Sequence, residues 1–522
     1  MLNLMAAMIP ALPAIAALWV AAGFVLGNNR GESGEAQTRR VVLSAATLSF
    51  ILLLCIDLLS LFHGKLPGEL QLFPWLNSGD YQVNISFLLD GLGLIMAHLV
   101  SLLLLITLHF SVNYLHREAG YQRFFIIMSL FTSAMLLIVM AGNTVLTFVG
   151  WELAGVCSYL LIAYSHEKTT TTINATRAFV TNKVGDAGFL LSIILSFFWI
   201  SSTEWNDIFT KAGELDGLQA GLIATGLLIA AMAKSAQIPF TPWIARALEG
   251  PTPSSAIFYG ALMVHAGVYL VIRMEPLLSH TPELLWMIAL AGAATAIYGF
   301  IGGLVQSDIK SALMFSTTGQ VGLMFFACGL GWFEFATWHL IAHAIWRAYH
   351  FLSSPALMHL LPDHSRFIPA WLQKRRRTYT AALQRFWLEH ITDWLLVKPI
   401  LALSKDAQTF DQQVVNRLFG LPGSIGAVSS LAQWEEQKHA HSTQLDGDSG
   451  DIGRGRGLIG KLMEWIASLL HWFEEHLVLK GGDDGILQAV VRVGEALTKV
   501  DEMLSRPRYL LLMLLLTFVV IL

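Results

Sequence analysis

Charge is scarce in this sequence. Only 13% of its 522 residues are Asp, Glu, Lys or Arg, while 55% are hydrophobic; soluble domains carry about a quarter charged residues. So apolar a chain, with mean hydropathy +0.57, cannot hide its surface in one water-soluble core. The net charge of −4 says little, because the charges are unevenly spread. Cysteine is scarce too. Cys55, Cys157 and Cys328 lie singly in apolar runs and form no CxxC pair, so they read as small buried hydrophobes and offer no zinc, haem or iron–sulfur set. There is no Walker loop and no GxGxxG between a strand and a helix, so neither nucleotide nor flavin is expected, and no nucleic-acid partner. Residues 1–26 are apolar but lack a basic leader. With further spans behind them, they read as a retained first helix.

Long apolar runs are abundant. A membrane span needs about 20 mostly apolar residues, and eleven candidates precede residue 362: 4–26, 41–63, 84–112, 121–141, 144–164, 178–200, 219–240, 252–273, 284–304, 309–331 and 334–361. They are expected to be helical, since only helices satisfy their own backbone in lipid. One set of connecting loops carries Arg30, Arg39, Arg40, Arg117, Arg123, Lys168, Arg177, Arg246 and Lys310; the alternate set carries only Lys65, Lys211 and Arg273. By the positive-inside rule the N-terminus is expected outside and residues 362–508 in the cytoplasm. Residues 380–419 and 458–480 are amphipathic, with Trp387, Trp394, Trp465 and Trp472 among charges. Residues 442–457 read as a flexible linker. The domain expectation is therefore an eleven-helix membrane domain over 1–361, an interfacial segment over 362–480, and a segment over 481–522 ending in a short span at 509–522, about twelve membrane helices in all. The basic residues Arg366, Lys374, Arg375, Arg376 and Arg377 offer a docking face for a soluble partner or for anionic lipid.

A charge inside a span is costly and normally serves a function. Glu152 stands in the fifth span and Lys234 in the seventh. Desolvation disfavours a buried ammonium and a nearby carboxylate restores it, so the two could couple proton movement or simply staple two helices. Pro239 and Pro242 follow Lys234, and Pro251 and Pro253 come soon after. They predict a broken helix of the kind transporters use to bind ions and water, or at least a kink. His339, His343 and Arg347 recur at i, i+4 and i+8 and share one helix face; two stacked imidazoles suit a proton relay. Arg347 does not give up its proton and instead sets the field or holds a carboxylate. Asp186 is a further buried acid, and His265 is either a relay group or a packing group.

These residues sit in the strings Phe148-Val149-Gly150-Trp151-Glu152-Leu153, Asn182-Lys183-Val184-Gly185-Asp186, Lys234-Ser235-Ala236-Gln237-Ile238-Pro239, Glu249-Gly250-Pro251-Thr252-Pro253 and His339-Leu340-Ile341-Ala342-His343. Five such strings in order resemble the antiporter-like NuoL family of complex I, Mrp antiporters and inorganic-carbon pumps, over about residues 1–361. The resemblance implies an all-α polytopic membrane protein with a broken helix in its first repeat. It makes Glu152 and Lys234 the central pair, with Asp186 supporting them and His339 and His343 on a central hydrophilic axis. Two positions depart from the family: Arg347 stands where lysine is usual and Tyr259 where histidine is usual. No second lysine-bearing broken helix follows, so the second inverted repeat is expected to be truncated. Such a chain suits a cation-conducting subunit that delivers energy to a partner more than a self-contained pump or an enzyme. It is most like the DabB subunit of an inorganic-carbon pump in a bacterial inner membrane. That implies passage of H+ or Na+, no cofactor in this chain, and a cytoplasmic DabA-like zinc partner related to carbonic anhydrases. The alternative is a subunit of a complex I-type NADH–quinone oxidoreductase or related hydrogenase.

Overall fold

The computed structural model describes residues 2–27, 29, 31–78, 81–360 and 368–410. Arg366 and the expected 442–457 linker, 458–480 amphipathic segment and terminal span at 509–522 lie outside the described residues. Met1–Val397 form one compact unit, and the helix Lys398–Phe410 belongs to a second.

The expected spans are helices: α1 (Leu2–Val25), α2 (Gly31–His63), α3 (Gly91–Tyr114), α4 (Tyr121–Met140), α5 (Thr144–Ile162), α6 (Thr169–Ile200), α7 (Gly217–Lys234), α8 (Thr252–Arg273), α9 (Pro282–Gly303), α10 (Ile309–Gly329) and α11 (Phe333–Leu360). The first ten are long and apolar enough to cross a membrane. The eleventh is long enough at 28 residues, but its histidines, Arg347 and Glu334 dilute its hydropathy. Several polar residues at span starts are helix caps. Asp90 accepts from Gly93 N, Asn143 from Leu146 N and Asp308 from Ser311 N, while Asp216 and Gln219 form a capping box. Each satisfies amides that a helix start leaves without partners.

The third span is shorter than the expected 84–112. An antiparallel hairpin, β1 (Gly68–Ser78) and β2 (Tyr81–Leu89), takes its first residues. Val83, Ile85 and Phe87 alternate with Gln82, Asn84 and Ser86, a period of two that no membrane helix shows. The hairpin is tied down by polar groups. Asn143 Nδ2 donates to Asn84 O (2.8 Å) and Ser86 Oγ (2.9 Å), and Ser86 Oγ donates to Glu204 Oε2 (2.7 Å).

The molecule is organised around α8, which is buried from Thr252 to Arg273. It is not a plain helix: Ala256–Ala261 form a π-helical turn, closed by Leu262 N donating to Ile257 O at 2.8 Å. Wide turns of this kind concentrate at functional sites because they re-aim side chains. The seventh span, expected over 219–240, stops at Lys234. Beyond it come Ala236 in the left-handed region (φ 50°), a cis Ile238–Pro239 bond and the short helix Pro242–Arg246, before α8 opens at Thr252. The expected break is therefore present, bounded by Lys234 and by Pro251 and Pro253.

The amphipathic stretch expected from residue 380 is not one helix. It runs as Arg376–Leu383, Leu388–Thr392 and a π-helical turn at Asp393–Val397, with Phe386 and Trp387 in the left-handed region between them. Part of it packs on its own chain. Arg177 of α6 pairs with both Glu389 and Asp393, Arg246 Nε donates to Glu389 at 2.9 Å, and Thr392 Oγ1 donates to Pro239 O at 3.2 Å. Lys374, Arg375, Arg376 and Arg377 remain exposed.

Candidate ion-translocation site

The first polar cluster lies between α5, α6 and the end of α7. Close packing of α6 on α7 builds it: a methyl group on Gly185 would sit 2.5 Å from Ala233 Cβ, and one on Gly226 2.4 Å from Gly188 O. Small residues let two membrane helices approach this closely, which brings Lys183 and Asp186 of α6 beside Lys234. Glu152 of α5 accepts directly from Lys183 Nζ. Lys183 is also 3.3 Å from Asp186, one turn along α6. Asp186 in turn accepts from Trp151 Nε1 at 2.9 Å. Lys234, 1% exposed, donates to Trp151 O at 3.1 Å and lies 5.0 Å above the Trp151 ring.

The expected glutamate–lysine pair is thus mediated rather than direct. The direct partner of Glu152 is Lys183, and Lys234 reaches the backbone of the residue next to Glu152. The charges of Asp186, Lys183 and Lys234 all bear on Glu152 through space. Two lysines and two carboxylates share one site, so adding or removing a proton at any one alters the field at the others.

The second cluster lies between α8, α10 and α11. His265 Nε2 is 3.0 Å from His343 Nδ1, Arg347 Nε is 3.4 Å from His343 Nε2, and Arg347 Nη2 donates to Ser316 Oγ at 3.0 Å. Guanidinium nitrogens only donate, so His343 Nε2 accepts and its proton sits on Nδ1. His343 then donates to His265 Nε2, which puts the His265 proton on Nδ1, a buried atom with no partner among the described residues. Hydrogen bonds therefore run in one direction, from Arg347 through His343 to His265, and end on a nitrogen free to pass a proton onward. His339, one turn before His343, bonds instead to Gln320 Oε1 at 3.0 Å. The rings of His339 and His343 stand edge to face with centroids 6.0 Å apart. Tyr259, on the π-helical turn of α8, is buried, and its hydroxyl has no partner among the described residues.

The clusters meet at the break. Ser235, the residue after Lys234, donates to the carbonyl of Val264, the residue before His265, at 2.6 Å. Loss of helical pairing after Lys234 turns the backbone toward α8, as the proline pattern predicts. Glu152, Asp186, Lys234, His265, His339, His343 and Arg347 therefore fall into two adjoining clusters. Three contributors were not singled out from sequence. Lys183 is one charge among several in a quoted string, while Trp151 and Gln320 carry no charge to draw notice. Lys183 and Asp186, at i and i+3, were the readable signal. Among the described residues no group of three or more His, Cys, Asp or Glu could hold a metal ion.

A multi-span helical fold with a broken helix, buried lysine–carboxylate chemistry and a histidine chain defines an antiporter-like membrane subunit. Residues 141–371 match the family described as NADH:quinone oxidoreductase/Mrp antiporter, TM, and residues 75–125 the family described as NADH-ubiquinone oxidoreductase (complex I), chain 5 N-terminus. Over these two stretches the chain is antiporter-like, of the complex I and Mrp kind. It is 39% identical over 295 residues to NADH-quinone oxidoreductase subunit L of Campylobacter jejuni, covering 56% of this chain and 49% of that one. It is 40% identical over 316 residues to the same subunit of Rhodobacter capsulatus, covering 57% and 44%. A solved Mrp complex from Dietzia sp. superposes with TM-score 0.60 at 26% identity, over 69% of this chain and 38% of the matched one. The chain spans about half the length of the curated relatives it matches.

Proposed function

We propose that this chain conducts protons across a membrane as one subunit of a larger assembly. The observation that carries the reading is the succession of polar groups from Glu152 and Lys183, through Lys234 and the Ser235–Val264 link, to His265, His343 and Arg347. The ion is H+, because imidazoles take and give protons at neutral pH and suit alkali cations poorly as ligands. A proton arriving at one cluster changes the charge felt at the next, and Nδ1 of His265, without a partner among the described residues, offers the exit. The curated relatives favour an assembly of the complex I kind. The test is proton flux into vesicles carrying the full assembly, with Glu152→Gln, Lys234→Ala and His265→Ala. Each variant should insert and assemble normally and lose flux at least ten-fold; a Glu152→Gln assembly with normal flux would remove the first cluster from the path.

A narrower reading couples this subunit to a cytoplasmic zinc protein of carbonic anhydrase type, as in an inorganic-carbon pump. It rests on the motif resemblance and on the exposed Lys374–Arg377 run. Co-purification from native membranes decides between the two: a zinc protein supports the narrower reading, and flavin or iron–sulfur subunits overturn it.

A further inference from the structure

Glu204 is a buried acid outside the membrane spans, in the connection between α6 and α7. It is 8% exposed and stands at the head of the short helix Trp205–Lys211. Three chain segments cross there. Gly142 N donates to Ser86 O of β2 at 2.8 Å, Trp205 N to Gly142 O at 2.9 Å, and Thr144 N to Thr203 O at 2.9 Å. Trp205 Nε1 donates to Thr147 Oγ1 of α5 at 3.2 Å. A methyl group on Gly142 would lie 2.5 Å from Ser86 Oγ, so the segments are in close contact.

The donors offered to Glu204 are few and neutral. Ser86 Oγ donates its one hydrogen to Oε2 at 2.7 Å. Asn143 Nδ2 has two hydrogens and three acceptors: Asn84 O at 2.8 Å, Ser86 Oγ at 2.9 Å and Glu204 Oε1 at 3.4 Å. The two nearer acceptors take both hydrogens, which leaves Oε1 with a long, shared contact. No basic group pairs with Glu204 among the described residues. The charges that bear on it are two further acids, Glu69 of β1 and Asp207. Lys211, on the same short helix as Asp207, donates instead to Ile200 O at 3.2 Å. A buried anion without a counter-charge is disfavoured. Burial raises the Glu204 carboxyl above its ordinary 4.5; the Ser86 and Asn143 hydrogen bonds oppose this only in part, and Glu69 and Asp207 add to it.

We infer that Glu204 is a proton-binding site that latches the hairpin to the start of α5. With the proton bound, a neutral carboxyl sits among neutral partners and the three segments close on one another. Without it, the buried anion is short of donors and favours a looser arrangement that admits water. The sign follows from linkage. An acid raised in the closed state holds the latch fully below its ordinary value, and the hold is lost as pH rises through the closed-state value. Asn143 caps α5, so proton occupancy at Glu204 acts on the first turn of the helix that carries Glu152.

Hydrogen exchange of the β2 and 142–144 amides, measured on the full assembly in lipid nanodiscs and corrected for its intrinsic pH dependence, tests the latch. Protection should be greatest in acid and fall by up to about ten-fold per pH unit between 4.5 and the closed-state value. Glu204→Gln keeps the shape without the charge and should hold the protected level at every pH. Ser86→Ala removes a donor to the anion and should extend the fall to higher pH. A protonated-carboxyl infrared band should persist above pH 4.5 and be absent in Glu204→Gln. Protection that is flat with pH, or that falls equally in Glu204→Gln, overturns the site. Protection lost at every pH in Glu204→Gln makes Glu204 a static tie and overturns it too. Should Glu204→Gln not assemble, Ser86→Ala decides alone, and a fall unmoved by it overturns the site. None of these readouts uses flux, so they stand apart from the conduction reading.

Discussion

Lys183 is where the site differs most from what single charges in the sequence suggest. It contacts Glu152 directly and Asp186 at 3.3 Å, so its single charge is shared between two carboxylates. Removing one partner of a pair away from water leaves the other uncompensated, which costs about 3–5 kcal/mol when the pair is well buried. Here Glu152 and Lys183 keep 24% and 33% of their side chains exposed, and the lower end applies. Lys183→Ala should therefore lower the thermal midpoint and abolish flux, while Lys183→Met with Glu152→Gln should regain stability without regaining flux. Thermal unfolding in detergent and vesicle flux, measured on the same preparations, check both halves. Normal flux in Lys183→Ala would mean that Glu152 needs no partner. The histidine chain makes a second prediction at this scale. The hydrogen-bond direction set by Arg347 requires His343 to hold its proton on Nδ1. Arg347→Lys keeps a donor but not the fixed fork that also reaches Ser316, so flux should fall several-fold while His265 and His343 stay packed. Unchanged flux in Arg347→Lys would show that the fork does not set the direction.

Among the elements, α6 and α7 matter most, because their approach decides whether Asp186 and Lys234 share a site. Gly185 faces Ala233 so closely that a methyl group would lie 2.5 Å away. Gly185→Ala must push the helices apart, and overpacking of this kind costs about 1–3 kcal/mol. The expected result is a lower thermal midpoint and reduced flux, with Gly185→Ala/Ala233→Gly restoring both. If the double variant stays impaired, the contact is not what spaces the helices. The hairpin shows how far elements were legible. Its alternation from Gln82 to Phe87 was present in the sequence, but a run of apolar residues next to a long span is easily absorbed into that span. Only pairing with β1 and the ties through Asn143 and Glu204 fix it as strand.

At the level of the whole unit, residues 385–393 close the end of α6 and the break. Burial pushes the Glu389 carboxyl up, but the hydrogen bonds and charge of Arg246 and the charge of Arg177 outweigh it and hold Glu389 below the usual carboxylate range. A lowered acid stabilises the folded state above its ordinary value, and that contribution is lost as pH falls through the folded value. Protection of Leu388–Thr392 amides should thus be full at neutral pH and fade below about pH 4. Hydrogen exchange corrected for its intrinsic pH dependence reads this, and Glu389→Gln should remove the pH step. Protection unchanged through the acid range would show that the Arg177 and Arg246 contacts do not hold the segment.

The sequence alone determined the solvent and the succession of apolar helices up to residue 360, because twenty-residue apolar runs and their scarce charges are local properties that lipid reads directly. It also determined the break after Lys234, since proline acts on its own backbone, and the shared face of His339, His343 and Arg347, since helical periodicity is local. Tertiary structure decided the partners. It gave Glu152 to Lys183, set Lys234 on the Trp151 carbonyl, and placed His265 against His343 across 78 residues of chain. It also folded residues 385–393 back onto Arg177 and Arg246. Those choices depend on which helices pack against one another, and that is fixed by glycines and side-chain volumes far apart in the chain.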